Sequence, residues 1–114
     1  MTDHAFSQIA DPRGILSAYE LDDAPFLTRR VFVVSGPLGG AWRGEHRASC
    51  EELIVLIGGR VLIELDDEPQ PRVLEIPGEV QQIRKGQFVR YHLADENTSV
   101  LVLASMPYER RNEA

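Results

Sequence analysis

The sequence predicts an all-β single domain, and three observations carry that prediction. Short apolar segments recur at even spacing, turn residues punctuate them, and no segment keeps a helical period with caps at both ends. A chain of 114 residues fits one domain over 1–114. Its core is expected over about 11–108, with a short flexible C-terminal tail.

The candidate strands follow in order. Residues 15–19, 28–34 and 43–48 come first, separated by Ala24-Pro25 and by the run Gly36-Pro37-Leu38-Gly39-Gly40. The most apolar pair, 52–57 and 60–65, flanks Gly58-Gly59. Two glycines between β-branched runs predict a hairpin there. Asp66-Asp67-Glu68-Pro69 ends that pair, and 72–76, 80–83, 88–92 and 99–104 follow between Pro77-Gly78, Lys85-Gly86 and Asp95-Glu96-Asn97. Many short strands of this kind make a sandwich or barrel. The polar N-terminal residues are expected to be less ordered, as is the tail 109–114.

Composition narrows the function. The net charge of -6 argues against nucleic acid as a partner, because phosphate-backbone binders need clustered Lys and Arg. Cys50 is the only cysteine, so neither an intramolecular disulfide nor a cysteine-based zinc site is expected. No apolar run reads as a signal peptide or approaches the length that spans a bilayer. A cytoplasmic location, with no membrane partner, is the expectation.

Two spaced motifs sharpen the fold. Gly40 is followed after five residues by His46, then by Ala48, Glu52 and Gly59, and further on stand Gly78, Arg84, Gly86, Val89 and Leu93. This frame is similar to the paired motifs of the cupin superfamily, whose fold is a jelly roll, a double-stranded β-helix barrel. In metal-binding cupins four positions of these motifs ligate the ion. Here they are His46, Ala48, Glu52 and Val89, so the resemblance leaves two of four donors. No metal and no other cofactor is expected. His92 does not replace Val89, because an odd spacing puts it on the other face of a regular strand.

Beyond the barrel, the chain resembles the metal-free nucleotide-sugar 3,4-ketoisomerases (the WxcM-like family), which act on dTDP-4-keto-6-deoxyglucose. The residues that carry the resemblance are Asp11-Pro12-Arg13-Gly14 with Leu16 and Glu20, Pro25-Phe26, Arg29-Arg30-Val31-Phe32, and Arg43-Gly44-Glu45-His46. Further on they are Gly59-Arg60-Val61, Leu65-Asp66-Asp67, Val102-Leu103-Ala104-Ser105 and Tyr108. Ala48 replaces the second histidine of the family signature, Phe32 a tyrosine and Phe88 a tryptophan.

The resemblance implies a keto–enediol isomerase with a small-molecule substrate, a nucleotide sugar, in secondary metabolism. A cyclase, dehydratase or epimerase on a non-nucleotide metabolite, and a non-catalytic binding cupin, are the alternatives. Such a reaction needs a group titrating near neutrality and a donor for an oxyanion. His46 suits the first task, Glu52 orients it or carries the second proton, and Tyr91 suits the oxygen. Arg43 and Arg30 are candidates for the diphosphate, and Trp42 for the wall of the pocket mouth. A homodimer is implied by resemblance, through barrel edges and swapped N-terminal strands.

Overall fold

The structure is a computed structural model and describes residues 6–36 and 41–107. Gly40, Tyr108 and the tail 109–114, all of which entered the sequence reading, lie outside the described residues. Among the described residues ten strands form in chain order: β1 (Phe6–Asp11), β2 (Gly14–Tyr19), β3 (Arg30–Ser35), β4 (Arg43–Arg47), β5 (Glu52–Gly58), β6 (Val61–Leu65), β7 (Arg72–Leu74), β8 (Val80–Ile83), β9 (Phe88–Leu93) and β10 (Ser99–Ala104). The other regular element is one turn of 3-10 helix at Leu21–Asp23. Among the described residues no helix is long and apolar enough to cross a membrane.

Strands β3 to β10 divide between two four-stranded antiparallel sheets, ordered β3-β10-β5-β8 and β4-β9-β6-β7. Successive strands alternate between the sheets, except where β6 and β7 form a true hairpin. This is the jelly-roll arrangement of two interlocked Greek keys. The all-β cupin-type barrel is the fold.

Alternation along each strand builds the interior. Ile54 and Leu56 of β5, Ile63 of β6, Leu93 of β9, and Val100 and Val102 of β10 point between the sheets and join one buried cluster. Each such side chain stabilises the fold by roughly 1.5–3 kcal/mol relative to exposure. The intervening residues Leu53, Val55, Val80 and Leu103 face outward, where Tyr19, Ala24 and Phe26 cover them. The segment after β2 therefore acts as a strap across the outer face of the first sheet.

Two expectations are corrected. Phe6–Asp11, read as less ordered, is a strand paired with β2 from Phe6↔Tyr19 to Asp11↔Gly14. Gly58-Gly59 does not close a hairpin: β5 pairs with β10 and β8, while β6 pairs with β7 and β9. The glycines instead turn the chain from one sheet to the other. Gly59 takes φ +79°, and a Cβ there would lie 2.6 Å from the Cα of buried Thr98. Close approach and positive φ both demand glycine at this corner.

Candidate active site

A cavity of about 670 Å³ opens at one end of the barrel, within the usual size range for a small-molecule site. In the first sheet, Arg30 and Glu52 are in register with Ala104 on either side. Strand spacing places their backbones about 10 Å apart, and the small Ala104 between them leaves room. One row deeper, Phe32, Val102 and Ile54 are aligned in the same way. The second sheet supplies Arg43 opposite Tyr91 and His46 opposite Val89. Thus His46, Glu52, Tyr91, Arg43 and Arg30 all line one cavity.

Local geometry on β4 makes that gathering possible. Gly44 has φ +80° and Glu45 φ +58°, and the ladder with β9 slips between Gly44 and His46. Glu45 is the residue left without a ladder partner, which makes this a β-bulge.

Electrostatics link the polar residues. Burial pushes the Glu52 carboxyl above the usual carboxylate range, and the charges of His46 and Arg30 pull it part of the way back. Burial likewise raises the Tyr91 phenol. The Arg43 guanidinium, which hydrogen-bonds it, opposes that rise, and the charge of Glu52 adds to it. A carboxyl raised by burial and an imidazole lining the same cavity give two groups that can act as acid and base. A phenol held by a guanidinium gives a fixed donor for a developing negative oxygen. Arg30 also stacks on Phe32, its guanidinium carbon 4.4 Å from the ring centroid, so this cation is seated at the boundary between the polar wall and the apolar one.

Trp42 stands elsewhere. It does not line the cavity; it lies on the outer face of the second sheet, 5.5 Å from the His92 ring and 4.1 Å beneath the Arg90 guanidinium. Arg90 in turn bonds Glu64 at 2.7 Å. Trp42 adjoins Arg43, and neighbours on a strand alternate faces, so the sequence held the signal that the two do not share a wall. His92 falls on that outer face as its spacing from Val89 predicts.

Sequence reasoning missed Lys85, Ser49 and Cys50, which also line the cavity. Lys85 was read only as part of a turn. Its backbone N–H is bonded to Glu51 Oε2 at 2.8 Å, which fixes the turn against the start of β5. Its position just after β8, beside the strand that carries Val89 and Tyr91, was the available signal. The described lining carries the cations Arg30, Arg43 and Lys85 against the single carboxylate Glu52, in a chain of net charge -6.

The residues present do not fit a divalent ion. Ala48 and Val89, the two motif positions without donor atoms, are 3% and 2% exposed, so carbon occupies both places. Among the described residues no group of three or more His, Cys, Asp or Glu gathers to hold a metal.

The comparisons with known proteins bear on this site. The family model described as FdtA, WxcM-like, C-terminal, matches residues 1–113. The chain belongs to this family. Among solved structures, it is similar to QdtA, a sugar 3,4-ketoisomerase from Thermoanaerobacterium thermosaccharolyticum solved in complex with TDP. The identity is 28% over 94% of this chain and 81% of that one, with a TM-score of 0.78. A 3,4-ketoisomerase from Helicobacter canadensis aligns at 27% identity over 92% and 82% of the chains, TM-score 0.74. WlaRB, a TDP-quinovose 3,4-ketoisomerase from Campylobacter jejuni, aligns at 26% over 94% and 85%, TM-score 0.75. No curated protein sequence matches the chain.

Proposed function

We propose that this family member isomerises a dTDP-4-keto-6-deoxysugar, moving the ketone from C4 to C3, with His46 as acid and base. The observation that carries the reading is the convergence of His46, Glu52, Tyr91 and Arg43 on one cavity, in a chain whose solved relatives above include three 3,4-ketoisomerases. The reaction is redox-neutral. A base removes the C3 proton and the electron pair forms the enediolate. A proton is then returned to C4 while the C3 hydroxyl proton passes to the oxygen on C4, so that the ketone forms at C3 and a hydroxyl remains at C4.

His46 takes the first proton, its imidazole nitrogen serving as the base at the cavity wall. Glu52, raised by burial and coupled to His46, carries the second. Tyr91 and Arg43 hydrogen-bond the enediolate oxygen. The excess of cationic side chains over carboxylates at the described lining suits a diphosphate, and the wall of Phe32, Ile54 and Val102 suits the deoxygenated edge of the sugar.

The same reading makes the protein metal-independent, cytoplasmic and homodimeric. Support for the dimer is the β1–β2 hairpin, whose Ile9, Ile15 and Leu16 are each more than half exposed, together with Val31 and Val33 at half exposure or more on edge strand β3. Apolar surface of this extent is usually covered. Light scattering at several concentrations is expected to give twice the chain mass; a strictly monomeric profile would remove the dimer.

The activity test is incubation with dTDP-4-keto-6-deoxyglucose before and after EDTA treatment, with calorimetry of dTDP binding beside it. Equal turnover to a 3-keto product in both samples supports the reading. Absence of product, or loss of turnover with the chelated metal, overturns it.

A further inference from the structure

Lys85 is the only lysine in the sequence, and it lines the cavity. Its place follows from where the strands end. Arg30, Ala104, Glu52 and Ile83 stand in one row across the first sheet, each at the end of its strand. The segments that run beyond that end carry Ser49 and Cys50 between β4 and β5, Lys85 between β8 and β9, and Met106 and Pro107 after β10. These five residues line the cavity from loops and so form its mouth, whereas Ile54, Val89 and Tyr91 line it from within strands.

The turn that carries Lys85 is held on several sides. The Gly86 N–H donates to the Ala48 carbonyl at 2.9 Å, and the Ala48 N–H to the Gln87 carbonyl at 2.8 Å. Buried Gln87 closes the turn, its Oε1 accepting the Arg84 N–H at 2.6 Å while its Nε2 donates to Asp67 at 2.7 Å. The Lys85 N–H donates to Glu51 Oε2 at 2.8 Å. The backbone is thus anchored while the side chain stays exposed.

The neighbouring cations are already engaged. Arg47 pairs with Asp66 at 3.0 Å and Arg84 with Asp67 at 3.9 Å. Arg43 hydrogen-bonds Tyr91, and Arg30 stacks on Phe32. Among the described residues the Lys85 ammonium makes no ion pair. A cation set on an anchored turn at a cavity mouth, with no carboxylate of its own, suits an anionic ligand group. An ammonium is a point charge with three rotatable donors, which tolerates the many rotations of a diphosphate.

We infer that Lys85 holds the diphosphate of the ligand at the cavity mouth, which directs the sugar inward to His46 and leaves Arg43 to the reacting oxygen. That the ligand is a nucleotide sugar rests on the proposed isomerase reading; that the mouth takes a diphosphate through Lys85 does not.

The test is calorimetry with dTDP on the wild type, Lys85→Gln and Arg84→Gln, the last removing a neighbouring charge that faces Asp67. Lys85→Gln is expected to weaken dTDP binding about tenfold or more, and Arg84→Gln to change it less than twofold. With dTDP-4-keto-6-deoxyglucose, kcat/KM of Lys85→Gln is expected to fall by a similar factor, carried by KM. Unchanged dTDP affinity in Lys85→Gln overturns the inference, and so does an equal loss in Arg84→Gln, which would make the effect one of overall charge.

If the wild type does not bind dTDP, the isomerase reading falls, and the role of Lys85 is judged on the wild-type chain reductively methylated with isotope-labelled formaldehyde. The one lysine then gives one dimethylamine NMR signal, identified by its absence from Lys85→Arg. A saturable shift of that signal with inorganic pyrophosphate, and none with sulfate at equal ionic strength, supports the inference. No shift, or the same shift with both anions, overturns it.

Discussion

Replacing His46 by Asn separates chemistry from folding at this site. His46 lies on an exposed strand, β4, whose residues are all solvent-accessible, and its partner across the ladder is Val89. Its side chain belongs to neither buried cluster. Substitutions at such positions usually change stability by within about 0.5 kcal/mol, so His46→Asn is expected to melt with the wild type. The rate behaves differently. One positioned acid–base group contributes roughly 10²–10⁴ in turnover, or about 3–5 kcal/mol of barrier at 1.36 kcal/mol per factor of ten.

The proposed diphosphate contacts fall on other residues, so dTDP affinity is expected to change less than threefold. The assay is steady-state turnover of dTDP-4-keto-6-deoxyglucose beside calorimetry with dTDP and a thermal melt. A variant with wild-type kcat refutes the assignment of His46. A variant that loses melting temperature and affinity together with rate refutes the argument that the residue is free of structural duty.

Three further expectations follow from the same geometry. Glu52 has its folded pKa raised by burial, so its ionised form costs stability once the pH rises through that value, and the cost vanishes below the unfolded value of about 4.3. Glu52→Gln is therefore expected to be more stable than wild type at neutral pH, with the gain fading toward pH 4 in urea melts; a variant less stable at pH 7 contradicts this. Tyr91→Phe removes the proposed donor to the enediolate oxygen and is expected to lower kcat about 10²-fold or more with KM little changed; a change confined to KM would move Tyr91 from catalysis to binding. Gly59→Ala places a Cβ against Thr98 in a left-handed conformation and is expected to cost more than about 2 kcal/mol in denaturant melts; a neutral result would show that the corner between β5 and β6 yields.

The barrel was legible because burial and alternation coincide. Strands such as β5, β8 and β10 carry outward and inward residues in strict turn, and their ends fall within a residue of the segments expected. Strand β1 was not legible for the opposite reason. It is held by pairing with β2 while Ile9 and its neighbours on β2, Ile15 and Leu16, stay exposed, so no buried face imposes a period on FSQIAD. Gly58-Gly59 misled because glycine signals positive φ and close approach, and both occur there, but neither says which strands pair. The bulge at Glu45 left no trace either, since glutamate is not a residue type that marks a left-handed position. The motif positions nevertheless led to His46 and Glu52, and Arg43 was found beside them, because the family resemblance covers the run Arg43-Gly44-Glu45-His46. Trp42 shows the limit of adjacency, since a neighbour of a cavity residue on a strand faces away.

The central claim is that this cavity moves a ketone through an enediolate. It is tested most directly by incubating the wild-type protein with dTDP-4-keto-6-deoxyglucose in deuterium oxide and following the sugar by NMR. A ketone at C3 and a deuterium at C4 of the product are expected, with both signals lost in His46→Asn. A substrate that keeps its C4 ketone and acquires no deuterium at C3 or C4 would contradict it.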